Sequence, residues 1–212
     1  MNSKRILRIG VIALGVIVFA LIVTRISQMK NATNSGSADM TLADFGPAPE
    51  FSLTERGGKT VTLADMKGKP WIADFIFTRC GGPCPLLSLR MSELQKDYLK
   101  KSDLHFASFT VDPEYDTPAV LKEYAQRYSA DESRWLFLTG ESLKVFRTIR
   151  DGFHLAVEKN TDPNQKPGEQ VNHSLSFVLV DKNARIRGYY TGNDLESLKR
   201  LRRDINSLLK NG

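Results

Sequence analysis

Cys80 and Cys84 are the only two cysteines of this 212-residue chain, and they share one short segment, Phe77-Thr78-Arg79-Cys80-Gly81-Gly82-Pro83-Cys84-Pro85. Two thiols at i and i+4 in a turn can converge on one point. There they close a disulfide or hold one soft metal ion, because such a turn brings the Cα atoms near the ~4.4–6.8 Å separation that permits either. Cysteines kept for packing alone would be scattered through the core. The segment follows an apolar run, Trp71 to Phe77, that reads as a buried strand, and precedes a run from Leu86 to Tyr98 that reads as a helix. A helix beginning just after Cys84 aims backbone N–H groups and a positive dipole end at the cysteines, which lowers thiol pKa. Pro85 at that helix start removes no needed donor.

Three histidines compete for a third position. His105 lies inside the strand expected from Leu104 to Val111 and reads as structural. His154 begins a possible hairpin strand and reads as a surface residue. His173 stands at the mouth of a strand, after a polar loop from Glu158 to Gln170, from which it could reach a neighbouring strand end. The residues alone leave it open between ligand and bystander. Asp112 and Asp116 flank a turn at the end of the Leu104–Val111 strand. Each reads either as turn and N-cap chemistry or as an acid beside the site that supports it or docks a partner. Arg79 could support thiolate charge or be solvated, and Asp74 is anomalous in an apolar strand, since buried unpaired carboxylates are costly.

The elements that must position these groups alternate. Glu50 to Leu53 and Lys59 to Leu63 read as a hairpin; helices are expected over Thr117 to Tyr128 and Ser142 to Arg150, with a short strand, Trp135 to Leu138, between them. Ser174 to Val180 and Ile186 to Tyr190 read as a second hairpin, and Leu195, Leu198, Leu201, Ile205 and Leu208 carry a final helix. This order argues for an α/β sheet covered by helices on both faces.

Ahead of it, Lys4, Arg5 and Arg8 precede an uncharged apolar run, and the expected layout is a cytoplasmic N-terminus (1–8), a transmembrane anchor (9–24), a flexible tether (25–46) and one domain (47–212). No small-x-small cleavage site follows the run, which argues for an uncleaved anchor over a signal peptide. The basic flank places the N-terminus in the cytoplasm and the domain on the outer face, where disulfides are tolerated. The formal net charge of +6 is concentrated there: five basic residues precede the first acid, Asp39, and removing them from 30 basic and 24 acidic side chains leaves 25 against 24. A nearly neutral domain with no basic stripe excludes nucleic acid as a partner.

Four blocks, Phe75-Ile76-Phe77-Thr78-Arg79-Cys80, Cys84-Pro85, Thr110-Val111-Asp112-Pro113-Glu114-Tyr115-Asp116-Thr117-Pro118 and Asn172-His173-Ser174, resemble the Sco/SenC family over roughly Pro47 to Leu209. The resemblance implies a thioredoxin-like domain on a membrane tether that binds copper, as Cu(I) or Cu(II), through Cys80, Cys84 and His173. It implies a role in assembling the CuA centre of cytochrome c oxidase, with the CuA-bearing subunit as partner and other copper chaperones or thiol reductants as further contacts. The lack of a transit peptide favours a bacterial plasma membrane over the mitochondrial inner membrane. The chain departs from the family at Gly81-Gly82, where Pro-Asp is usual, at Asn172, where Asp is frequent, and at Tyr115, where Arg is common. The rival function is a thiol–disulfide oxidoreductase that uses Cys80 and Cys84 as its redox pair to keep the oxidase cysteines reduced. A peroxidase is disfavoured, because no Pro-x-x-x-Thr-x-x-Cys context precedes Cys80.

Overall fold

The computed structural model describes residues 19–25, 42–100, 103–166 and 168–211. The chain divides into two units, Met1–Thr41 and Leu42–Gly212. In the first, residues 19–25 are helical; the rest of the expected anchor lies outside the described residues. Among the described residues no helix is long and apolar enough to cross a membrane.

The second unit is built on a seven-stranded sheet whose strands lie, edge to edge, in the order Thr60–Thr62, Ser52–Glu55, Trp135–Thr139, His105–Thr110, Trp71–Ile76, Ser176–Val180 and Ile186–Thr191. The hairpin β1 (Ser52–Glu55) and β2 (Thr60–Thr62) is followed by a single helical turn, α1 (Leu63–Met66). Then β3 (Trp71–Ile76), α2 (Cys84–Asp97), β4 (His105–Thr110), α3 (Pro118–Arg127) and β5 (Trp135–Thr139) form two parallel crossovers. Successive right-handed crossovers in one direction along a sheet put both helices on the same face. The contacts agree, since the Ser88 and Tyr124 hydroxyls of α2 and α3 meet at 2.9 Å. The C-terminal α5 (Leu195–Asn211) joins them through Arg202, which pairs with Asp97.

The opposite face is closed by α4 (Ser142–Arg147) and a π turn, Thr148–Gly152, in which the Phe153 N–H reaches back to the Thr148 carbonyl. The turn delivers Phe153 to an aromatic layer with Trp71, Phe75 and Phe109, at centroid distances of 5.3–6.2 Å. Only glycine fits at 152, because a Cβ there would stand 2.2 Å from Pro49 Cβ. The hairpin β8 (Ser176–Val180) and β9 (Ile186–Thr191) completes the sheet, β8 running antiparallel to β3. The segment before β1 lies along β9, where the Phe45 N–H donates to the Ile186 carbonyl and the Ile186 N–H donates to the Gly46 carbonyl, both at 2.9 Å, and Arg185 pairs with Asp44.

Side chains alternate across β3, so Trp71 and Phe75 enter the aromatic layer under the π turn while Ile72, Asp74 and Ile76 face α2 and α3. Asp74 lies beside Ser108 of β4 in that register. The sequence expectation missed one element. The polar stretch from Glu158 to Gln170 is not all loop: β6 (Val157–Lys159) and β7 (Val171–His173) pair as a separate antiparallel hairpin whose last residue is His173. Few apolar residues mark these strands, so periodicity does not reveal them.

Candidate metal centre

The cysteine loop begins where β3 ends. Cys84 is the first residue of α2, two positions earlier than the sequence indicates, with Pro83 as N-cap and Pro85 inside the first turn. Both cysteines are buried free thiols; Cys84 is fully enclosed and Cys80 is 9 % exposed. The β6–β7 hairpin brings His173 over them. Its Nε2 stands 3.2 Å from Cys84 Sγ, and its Nδ1 donates to the Ser174 carbonyl at 2.9 Å. A carbonyl only accepts, so the proton of the neutral ring sits on Nδ1 and the Nε2 lone pair points at the sulfurs. Phe77 packs edge-on against the imidazole at 5.8 Å and fixes its plane.

The two thiols are inequivalent. A hydrogen bond from Cys84 is the largest of the effects that pull the Cys80 thiol well below its usual range, and the Gly82 N–H adds to it. The same bond to Cys80, then burial, pushes Cys84 up. The pair therefore shares one proton, with the charge on the more accessible sulfur. Alkylation by iodoacetamide should label Cys80 first, with little loss of rate from pH 8 down to pH 6, while Cys84 stays unmodified in the folded chain. Equal labelling, or a rate that collapses tenfold per pH unit as for an ordinary thiol, would contradict this assignment.

Asp112 and Asp116 both turn toward the loop. Asp116 is fully buried and accepts from the Thr78 N–H (3.1 Å), the Thr78 hydroxyl (2.5 Å) and the Thr110 hydroxyl (2.5 Å). Burial raises its pKa against those bonds. It is not the N-cap of α3: Thr117 fills that position, accepting from the Val120 N–H. Asp112 takes the Arg79 Nε at 2.7 Å, and the same guanidinium lies 4.4 Å from the Tyr115 ring. Arg79 is thus held by the turn after β4 and is not directed to the thiolate. The two residues before Cys80 are fixed by one acidic turn 33 to 38 positions downstream.

Gly168, in the β6–β7 connection, has φ +93° and rests on the cysteine loop so closely that a Cβ would lie 2.3 Å from the Gly81 nitrogen. Gly168→Ala should separate hairpin from loop and cost about 1–3 kcal/mol by thermal unfolding; an unchanged melting temperature would show that the contact carries no packing.

His105 sits half-buried at the start of β4, the end of the sheet away from the cysteines, and burial lowers its pKa. His154 has φ 55° and lies outside β6. Asp74 is fully buried, and neither carboxylate oxygen has a hydrogen-bond partner. Burial is what pushes it up, to about 7. Among the described residues no three His, Cys, Asp or Glu side chains stand in a preformed ligating cluster. Of the three expected ligands, Cys84 and His173 stand in contact, and Cys80 shares a proton with Cys84. Thiolates and an imidazole with an outward lone pair suit a soft ion of low coordination number.

The SCO1/SenC family model matches residues 42–210. The chain is similar to a SCO1/SenC family lipoprotein from Bacillus anthracis str. Ames, at 34% identity and a TM-score of 0.72 over 81% of this chain and 99% of that one. BsSco, a member of the Sco family of cytochrome c oxidase assembly proteins with a disulfide switch, is 32% identical, with a TM-score of 0.68 over 79% and 97%. Bradyrhizobium japonicum ScoI, solved with copper bound, is 25% identical, with a TM-score of 0.62 over 74% and 98%. With its thioredoxin-like sheet, its cysteine loop and its family match over most of its length, this chain belongs to the SCO1/SenC family.

Proposed function

We propose that this chain is a membrane-tethered copper metallochaperone that carries one copper ion on Cys80, Cys84 and His173 and helps assemble the CuA centre of cytochrome c oxidase. The observation that carries the reading is the imidazole. Its Nδ1–H is committed to Ser174, leaving Nε2 aimed at Cys84 Sγ at 3.2 Å, an arrangement that disulfide exchange does not need. Copper is the cargo, and the chain's own groups set the terms of its capture. Cys80 offers a thiolate already formed, Cys84 releases its proton as metal arrives, and binding weakens as pH falls. Asp116 and Asp112 hold Thr78 and Arg79, and through them the position of Cys80. In this reading residues 9–24 anchor the chain and the stretch after them tethers it; the expected tether to residue 46 is shortened to 41, because residues 42–46 pack along β9, and 42–212 form the copper-binding domain on the outer face of a bacterial plasma membrane, facing the CuA-bearing subunit.

A second reading is favoured by the inequivalence of the thiols. As a reductant, the Cys80 thiolate attacks a target disulfide and expels one target thiolate. Cys84 then attacks Cys80 Sγ of the mixed disulfide and expels the second. Two electrons pass to the target and the chain leaves with a Cys80–Cys84 disulfide. Anaerobic titration of the detergent-solubilised full chain separates the readings. One Cu(I) retained per chain against a competing chelator is expected. No copper retained, together with rapid reduction of a small disulfide, would hand the function to the oxidoreductase.

A further inference from the structure

The hairpin that carries His173 has one strand edge with nothing bonded to it. In the β6–β7 pair the Asn160 N–H donates to the Gln170 carbonyl at 2.9 Å and the Ser174 N–H to the Ala156 carbonyl at 3.0 Å, with Glu158 opposite Asn172 between them. Bonded and non-bonded pairs alternate in an antiparallel ladder, so Asn172 faces β6 while the N–H and carbonyl groups of Val171 and His173 face away from it. The small sheet holds only β6 and β7, and among the described residues nothing bonds to those four groups. The edge therefore offers two donors and two acceptors at the spacing of an extended chain.

A 540 Å³ cavity is lined by Val171, Asn172 and His173 and by Cys80, Gly81 and Gly82 of the cysteine loop. Successive side chains of a strand point to opposite faces, so a cavity that touches three in a row follows the strand's edge. The other edge is taken by β6. Across the cavity Gly81 and Gly82 put up no side chain, and a Cβ on Gly82 would meet only Cys80 Sγ, at 3.8 Å. The volume is that of a ligand site, and main-chain groups at strand spacing are matched, group for group, by another extended main chain. We propose that the free edge of β7 docks an extended segment of a partner protein by strand addition, holding a cysteine of that segment against Cys80. Docking of this kind rests on the proposed exchange of copper or thiols at Cys80, and gives either exchange its hold on the partner's backbone.

The test needs no copper, so it stands apart from the metal reading. Full-length Cys84→Ser in detergent is mixed with the blocked peptide Thr-Val-Thr-Cys-Thr-Val-Thr, its cysteine carrying thionitrobenzoate. The Cys80 thiolate attacks the peptide sulfur, the bond to thionitrobenzoate breaks, and that coloured anion leaves as the Cys80–peptide disulfide forms. Release should run roughly tenfold faster than with cysteine–thionitrobenzoate or with the same peptide N-methylated on its valines and threonines. Val171→Pro removes one outward donor without touching the β6 ladder, and should slow the peptide severalfold while leaving the small disulfide unchanged. In the linked product, amide exchange by NMR should slow at Val171 and His173 and stay as it was at Asn172, whose N–H faces β6. Equal rates for peptide, N-methylated peptide and small disulfide overturn the docking. Should Val171→Pro fail to fold, a linked product without that alternating protection overturns it equally. So does protection of Val171 and His173 that appears without peptide and grows with chain concentration, which would make a second copy the occupant. If docking fails while the parent still retains Cu(I), the strand edge alone is refuted and the metal reading stands.

Discussion

Cys84→Ser is expected to abolish tight retention of both Cu(I) and Cu(II), whereas His173→Ala should spare much of the Cu(I) affinity and lose most of the Cu(II). Thiolates dominate Cu(I) binding because they are soft and anionic, while imidazole weighs more for Cu(II), a harder ion. Loss of a contact that merely supports a ligand costs roughly 10–100-fold in metal affinity, so removal of a sulfur should exceed that range for either ion. Cys84→Ser should also end disulfide chemistry. His173→Ala should leave oxidation of the dithiol by a small disulfide nearly intact, because the hydrogen bond between the sulfurs remains. Competition titrations with a Cu(I) chelator and Cu(II) absorption spectra report both ions. If His173→Ala retains both as the parent does, the imidazole serves docking and is no ligand.

The second large effect belongs to Asp74. Its folded pKa is raised by burial from 3.8 to about 7, so the folded state prefers the protonated form more than the unfolded state does. That preference is fully present below pH 4 and is lost as pH rises through about 7, a difference of about 4 kcal/mol in all. Asp74→Asn keeps the shape and removes the titration. Unfolding of the copper-free chain should therefore show the variant gaining on the parent between pH 4 and pH 8, and standing more stable at pH 8. Parallel stability profiles for parent and variant across that range would mean that Asp74 is solvated or paired.

Much of this was legible in advance. The apolar run ending at Phe77, the paired thiols and the following helix located the cysteine loop, since a continuous buried strand and a proline-marked helix start leave strong local signals. Asp74 was visible as an anomaly, a carboxylate in that run. What local pattern could not give was the meeting of distant parts. Asp116 read as an N-cap because Asp before a helix usually is one, yet its oxygens are spent on Thr78, 38 residues earlier. Gly168 left no sign of its role, because a glycine in a polar loop reads as flexibility and here it marks a backbone approach.

The imidazole and the sulfur it meets are 89 residues apart in sequence, on a two-stranded hairpin and on the helix that follows the central strand. A metal ion held between them is a cross-link, and it closes a long loop at one stroke. The hairpin is the smaller partner, with two three-residue strands and no share in the seven-stranded sheet. Opening it alone would remove the histidine while leaving the sulfurs on a rigid frame. In the proposed copper-carrying role, release of the ion would follow the breathing of one hairpin, at rates that amide hydrogen exchange at Asn172 and Ser174 would reveal, and the rest of the domain can stay folded while it happens.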